Sequence, residues 1–157
     1  SKIFFSNFGL VPKLVWTQLK IWQPFTYMFL HGDIWHVLIN MFVLWMFGSE
    51  LERVWGKKNF LRFYFITGVG SGLGTMLFGL QSMVPIVGAS GAIYGVLLAY
   101  GVMFPNRTVY LYGIIPIKSI VPAYIFLYKT ETSVPHISSR STIKFSITKC
   151  ANFLAML

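Results

Sequence analysis

The sequence predicts an all-α fold, a polytopic bundle of transmembrane helices, from three observations. Of its 157 residues, 55% are hydrophobic and 11% are charged, whereas about a quarter of the residues in a soluble domain are charged. The charges lie mostly between long apolar runs. Several of these runs approach the roughly 20 residues that an α-helix needs to cross a bilayer.

The scattered charges and the single cysteine exclude several kinds of partner and site. The net charge is +9, but the 13 Lys and Arg residues form no basic stripe, so we expect no nucleic-acid partner. Cations between apolar runs are typical of loops that orient membrane spans. The only cysteine, Cys150, excludes an internal disulfide and a CxxC metal site. No basic segment with a cleavage site precedes the first apolar run, so we expect no signal peptide.

The first elements are an interfacial segment and one span. Residues 1–25 mix apolar residues with Lys13, Lys20 and two prolines, and Trp16 and Trp22 are placed as at a membrane interface. The run from Ile34 to Gly48, with residues 25–33 before it, predicts the first span. Residues 49–62 carry two acidic and four basic side chains, which predicts a connecting loop.

Two further spans follow, at 60–80 and 84–104, and both carry small residues spaced by four. The pairs in the second span are Gly68 with Gly72 and Gly70 with Gly74; the third has Gly91, Gly95 and Ala99. Small residues at this spacing let helices approach closely, so we expect tight contact between these spans. Residues 120–128 begin a fourth span of about half the needed length.

The cations predict an orientation, because Lys and Arg near spans stay on the cytoplasmic side. With 53–62 cytoplasmic, the span containing His36 runs inward, the next outward, and the one containing Ser90 inward toward Arg107. The fourth span then runs outward and leaves the basic tail outside, against the same rule. The Ser/Thr-rich tail, 129–157, is either solvated or the product of a shifted reading frame. We therefore assign 1–128 to the membrane core and 129–157 to a segment outside the fold.

His36 and Asn40 lie inside the first predicted span, where polar side chains are costly and mark candidate sites. Residues four apart share a helix face, so both could donate to one oxygen. The alternative is hydrogen bonding that holds helices together. Metal binding by His31, Asp33 and His36 is disfavoured, because the spacing is not HExxH. We expect no metal and no cofactor.

Ser90 stands in VGASGAIYG, between Gly88 and Gly91. Taken alone, it is best interpreted as a small packing residue. The motif is not the GxSxG nucleophile elbow, because Ala92 replaces the last glycine. A serine that opens an apolar helix, with free amide groups beside it and His and Asn on another span, could instead be a nucleophile beside an oxyanion site.

Together these residues resemble the rhomboid family of intramembrane serine proteases, over roughly residues 8–128. The motifs are GASG at 88–91, HVLIN at 36–40 and WQPFTYMFLH at 22–31; GSELERVWG and FPNRTVYLYGIIPIK also look like their family counterparts, with Glu52 in the usual acidic position. Gln23 replaces the arginine usual in the family. The resemblance implies six spans, of which about four are present.

The resemblance also implies roles for single residues. Ser90 matches the nucleophile, and His36, Asn40 and the Ser90 amide match the oxyanion-binding groups. Tyr94 matches the aromatic residue on which the catalytic histidine stacks, while Gly88, Gly91 and His31 are supporting positions. His136 lacks the glycine-rich context of that histidine and is not assigned as the base. We therefore expect a fragment or frame-shifted copy, without most of the first helix, much of the fifth and all of the sixth.

Three functions remain open at this stage. The first is an endopeptidase that cuts transmembrane substrates in the bilayer of the plasma membrane, and this chain as written is expected to be inactive if the base is absent. The second is an inactive rhomboid-like protein that binds transmembrane clients without cutting them. The third, a transporter or channel, is disfavoured because too few polar residues are available to line a hydrated path.

Overall fold

The computed structural model describes residues 2–111 and 115–118, and there the predicted helical class is confirmed. The predicted fourth span, the tail and His136 lie outside the described residues. The α-helices are α1 Lys2–Phe8, α2 Pro12–Gln18, α3 Gln23–Thr26, α4 Ile34–Val43, α5 Ser49–Trp55, α6 Lys57–Phe78 and α7 Ser90–Met103. A 3-10 turn at Tyr27–Phe29 follows α3, and a π-helical turn at Leu44–Gly48 joins α4 to α5.

The N-terminal segment folds into short helices, since α1 and α2 have 7 residues each. Gln23 connects them. Its buried side chain accepts a hydrogen bond from the Val11 amide at 3.0 Å and donates to the carbonyls of Ser6 and Asn7 at 2.9 and 3.3 Å. The glutamine that departs from the rhomboid pattern therefore satisfies three backbone groups at once.

Helix α4 begins where the Asp33 carboxylate accepts a hydrogen bond from the His36 amide at 2.8 Å. Such a cap satisfies one of the free amides of the first turn. The helical path then continues through the π-turn and α5 to Trp55. Among the described residues, Ile34–Trp55 is the one stretch long and apolar enough to cross a membrane by length and composition.

The predicted loop at 49–62 is wrong, because almost all of it is helical. Helix α5 ends at Trp55 and α6 begins at Lys57, so only Gly56 lies between the two helices. Gly56 has φ of +79°, a conformation that favours glycine. The charges show that this segment is polar. They do not show that the chain departs from the helical conformation only at Gly56.

The close contact expected between the second and third spans is confirmed for one face of each. A Cβ atom at Gly91 would lie 2.5 Å from Ser71 Oγ, and one at Gly95 would lie 2.8 Å from Thr67 Cβ. Gly68 and Gly72 pack against the side chains of Met28 and Tyr27, and Gly68 also against Ala92.

The glycines on the other face do not take part. Among the described residues, Cβ atoms at Gly70 and Gly74 would meet nothing within 4 Å. The prediction that Gly70 and Gly74 also contact another helix is therefore wrong.

The third predicted span is shorter than expected, since α7 begins only at Ser90 and has 14 residues. The segment before it is tied to the N-terminal region: Leu10 and Ile86 exchange two backbone hydrogen bonds of 2.9 and 2.8 Å. After α7, strands β1 Thr108–Leu111 and β2 Ile115–Lys118 pair antiparallel, with Thr108 opposite Lys118. This strand pair was not predicted.

The chain divides into two compact units, the first ending at Gly95 and the second beginning at Val96. The first has an apolar core in which helices meet the N-terminal segment. Its buried members are Leu10, Val15, Tyr27, Met28, Met76 and Ala92. The outer side of α4 and the following turn is apolar and exposed, with Trp35 and Trp45 70% and 71% accessible, as expected of a surface that faces lipid.

Candidate active site

Ser90 is the first residue of α7, at the end of a segment anchored by two elements. The Leu10–Ile86 bridge holds the segment on one side. The Gly88 amide donates to the Tyr27 carbonyl at 2.9 Å, two residues before Ser90. Because both anchors lie in the backbone, the position of Ser90 is set by the fold of the N-terminal segment as well as by α7.

The start of α7 presents backbone N–H groups without helical partners. The first bond into this helix runs from the Ile93 amide to the Ala89 carbonyl at 3.0 Å. The amides of the preceding helical residues, Ser90 among them, have no carbonyl one turn before them within the helix. They point toward the helix start, where the helix dipole favours negative charge.

The His36 imidazole lies against the backbone just before Ser90. A Cβ atom at Gly88 would lie 2.8 Å from His36 Cε1, 3.1 Å from His36 Nε2 and 3.7 Å from Ser90 Oγ. The imidazole and the hydroxyl therefore border the same small space. Gly88 has φ of +119°, and both this conformation and the adjacent ring require a residue without a side chain.

His31 and His36 form a pair of rings, with centroids 5.3 Å apart and planes at 84°. The Nε2 atom of His31 is buried and has no hydrogen-bond partner in the described part of the chain. Burial lowers the pKa of His31, and the neighbouring His36 lowers it further, while a hydrogen bond with the Phe29 backbone acts in the opposite direction. Neutral imidazole is therefore favoured at this position.

Asn40 lies one helical turn after His36 and is 5% exposed. Its Nδ2 atom is buried and finds no acceptor among the described residues. A buried amide without an acceptor is costly, about 1–3 kcal/mol, so it marks a position where a ligand atom would be stabilised.

Two other predicted positions, Gly91 and Tyr94, follow Ser90 on α7. Gly91 contacts Ser71 of α6, and Tyr94, one turn after Ser90, is 37% exposed. Asp33 is engaged as the cap of α4. No group of three or more potential metal ligands occurs within residues 2–111 and 115–118.

Sequence reasoning missed Tyr27 as a residue that shapes this region. Its hydroxyl donates to the Gly68 carbonyl at 2.6 Å, and its own carbonyl accepts the Gly88 amide. Tyr27 thus links α6 to the segment before Ser90. Its sequence context, in a run of interfacial aromatics, gives no signal that separates it from neighbours such as Phe25 and Phe29.

Comparison with known proteins identifies relatives of the whole region. Residues 18–143 match the rhomboid domain. The chain is 34% identical to mitochondrial rhomboid protein 1 of Saccharomyces cerevisiae over 88 residues, which is 54% of this chain and 25% of the relative. It is 35% identical to the Bacillus subtilis rhomboid protease GluP over 106 residues, 66% of this chain and 20% of the relative.

A plant relative extends the match. RHOMBOID-like protein 4 of Arabidopsis thaliana is 35% identical over 114 residues, 72% of this chain and 28% of the relative. The matches therefore span between a fifth and a third of the length of these three relatives. No solved structure matches the chain.

Proposed function

The chain belongs to the rhomboid family, and we propose that it is the site-bearing part of a serine endopeptidase that cuts transmembrane proteins within the membrane. The observation that carries this proposal is the shared space between His36 and Ser90 at Gly88. Proteins of this family are integral membrane proteins. We further propose the plasma membrane as the location, residues 1–128 as the membrane core and residues 129–157 as lying outside the fold.

Ser90 is the proposed nucleophile. Its Oγ would attack the carbonyl carbon of the scissile peptide bond, form an acyl-enzyme and release the amine product after proton transfer. Water would then hydrolyse the ester and restore the hydroxyl. The positioning of Ser90 by the Leu10–Ile86 bridge and the Gly88–Tyr27 hydrogen bond supports this assignment, because a nucleophile must be held near its target.

The oxyanion of the tetrahedral intermediate would be held by His36, Asn40 and the Ser90 amide. Two features support this: the His36 imidazole and the Ser90 hydroxyl border the same space at Gly88, and the buried Asn40 amide is without an acceptor within the described residues. Donors that are fixed before the reaction stabilise developing charge without reorganisation, an effect of about 10²–10³ in kcat for each. Gly88, Gly91, Tyr94 and His31 are proposed as supporting positions.

The attack also needs a base for the Ser90 proton. The described residues contain two of the three histidines, His31 and His36. One imidazole cannot accept the Ser90 proton and donate to the oxyanion in the same step, so His36 is not proposed as the base. We assign the base to neither histidine.

The test uses the full chain in lipid vesicles with a reporter that carries one transmembrane segment, together with a fluorophosphonate probe for reactive serine. We expect reporter cleavage and labelling when a sixth helix that carries a histidine is joined to this chain, and loss of both by a factor of at least about 10³ when the same protein carries Ser90→Ala. Ser49→Ala is the control, because it removes a hydroxyl at the start of α5. Equal labelling with and without Ser90→Ala would overturn the nucleophile, and neither cleavage nor labelling after the sixth helix is joined would overturn the enzyme.

A second candidate is a non-cleaving protein that binds transmembrane segments. It is favoured by the imidazole that borders the same space as the Ser90 hydroxyl: this imidazole is already proposed as an oxyanion donor, and neither of the described histidines is assigned as the base. This candidate predicts that a transmembrane client co-purifies equally with wild type and Ser90→Ala, and that the probe labels neither. The two candidates therefore differ in the same experiment.

A further inference from the structure

A surface pocket of about 420 Å³ lies between α2 and the C-terminal end of α6. It shares no residue with the candidate active site. Its lining residues are Lys13, Trp16, Thr17, Leu77, Leu80 and Gln81.

The lining contains both apolar and polar side chains. Trp16, Leu77 and Leu80 are exposed apolar side chains, 45% to 69% accessible. The polar members are Lys13, Thr17 and Gln81, and the lining contains no acidic residue. The Lys13 ammonium makes no hydrogen bond or ion pair with any residue in the described part of the chain.

The sequence predicts that this pocket lies near a membrane interface. Trp16, which lines the pocket, is placed in the sequence as at an interface, where tryptophan is enriched. The predicted second span, 60–80, ends at Leu80, which also lines the pocket.

We propose that this pocket binds one anionic phospholipid. The lipid phosphate would accept hydrogen bonds from the Lys13 ammonium, and an acyl chain would run along Trp16, Leu77 and Leu80. Charge complementarity carries the choice of ligand: the lining combines a cation that has no partner among the described residues with three exposed apolar side chains, and a phospholipid combines an anion with hydrocarbon. An isolated soluble anion would leave the apolar wall exposed.

A lipid bound in this pocket would contact elements that are hydrogen-bonded to the segment preceding Ser90. The Lys13 amide donates to the Ser82 carbonyl at 3.2 Å, and Leu10 is bridged to Ile86. A lipid that contacts both α2 and Leu80 would therefore hold the N-terminal segment against residues 79–89. The lipid site does not depend on proteolysis, so it can be tested in a protein of either proposed function.

The experiment is native mass spectrometry and thermal unfolding of the full chain in a neutral detergent. It is titrated with phosphatidylglycerol, with phosphatidylcholine and with glycerol phosphate alone. We expect one saturable phosphatidylglycerol that raises Tm. In Lys13→Gln, its Kd should rise about five-fold, the effect of one cation near an anionic lipid surface. Lys58→Gln, which removes the same charge at the other end of α6, should leave the Kd unchanged.

Trp16→Leu provides a second test, because it shortens the apolar wall and keeps Lys13. With phospholipids brominated in their acyl chains, quenching of tryptophan fluorescence should fall relative to wild type. Equal Kd changes in Lys13→Gln and Lys58→Gln, equal binding of phosphatidylcholine, a Tm shift with glycerol phosphate alone, or unchanged quenching in Trp16→Leu would each overturn the proposal.

Discussion

The His36 imidazole occupies the space that a side chain at Gly88 would need, because a Cβ atom there would lie 2.8 Å from His36 Cε1. This contact joins α4 to the segment before Ser90. It also explains why the residue two before the proposed nucleophile is glycine: both its φ of +119° and its neighbour exclude a side chain.

Gly88→Ala should therefore displace the imidazole and strain the backbone. We expect a loss of about 1–3 kcal/mol in stability and loss of serine-probe labelling, measured by thermal unfolding and by the labelling rate. Gly70→Ala is the matched control. A Cβ at Gly70 would meet nothing within 4 Å in the described part of the chain, and alanine is favoured inside a helix by about 0.5–1 kcal/mol. If Gly88→Ala unfolds no earlier than Gly70→Ala, the close contact is not present in solution.

Asn40 offers a test that separates function from stability. Since its buried Nδ2 finds no acceptor among the described residues, Asn40→Leu should keep or raise Tm. The same substitution should lower kcat by about 10²–10³ if the amide holds the oxyanion, with little change in KM. Ile39→Ala, on the exposed side of α4, is the control. A fall in Tm with unchanged kcat would assign Asn40 to helix packing.

We expect that removing the side-chain amide of Gln23, or replacing it with a charged group, lowers the stability of the protein. Its side chain is fully buried and serves three backbone groups, so Gln23→Glu would replace a donor by a carboxylate facing two carbonyl oxygens. We expect a loss of at least about 1–3 kcal/mol, measured as the shift in Tm. Gln18→Glu makes the same change at an exposed position, and a similar shift in both variants would count against the connecting function of Gln23.

The packing of α7 on α6 predicts a different response from two glycines. Gly95→Ala brings a methyl group to 2.8 Å from Thr67 Cβ, and overpacking of this kind costs about 1–3 kcal/mol. Gly74→Ala adds the same methyl group where none of the described residues lies within 4 Å. Unfolding in a mild detergent should therefore show a lower Tm only for Gly95→Ala, and equal values would show that the helices separate at this point.

His31 predicts a dependence of stability on pH. Its pKa is lowered in the folded protein by burial and by His36, so the unfolded chain binds the proton more readily. The stability from this site is complete above the ordinary pKa of about 6.5 and is lost as pH falls below it. Tm measured from pH 8 to pH 5 should decline more steeply in the wild type than in His31→Phe. Parallel curves would exclude His31 as the source.

Long-range packing explains where sequence-based prediction failed. The equal spacing of Gly68, Gly72, Gly70 and Gly74 cannot tell which pair faces another helix, and only the first pair is packed. The charges of residues 49–62 predicted a loop. The residues on both sides of Gly56 are nevertheless helical, because most of them have an ordinary preference for helix. The late start of α7 was hidden because Val84 to Ala89 is as apolar as a span, yet its backbone bonds go to Leu10 and Tyr27.

The sequence by itself determined the helical membrane class and the rhomboid family, because composition, the length of apolar runs and short motifs are local properties. It also placed His36 and Asn40 one turn apart, since helical spacing is fixed by backbone geometry. Only the tertiary structure decided that His36 lies against Gly88 beside Ser90, and that Tyr27 anchors the segment between. These contacts join residues far apart in the chain, and their distances depend on how the helices pack together.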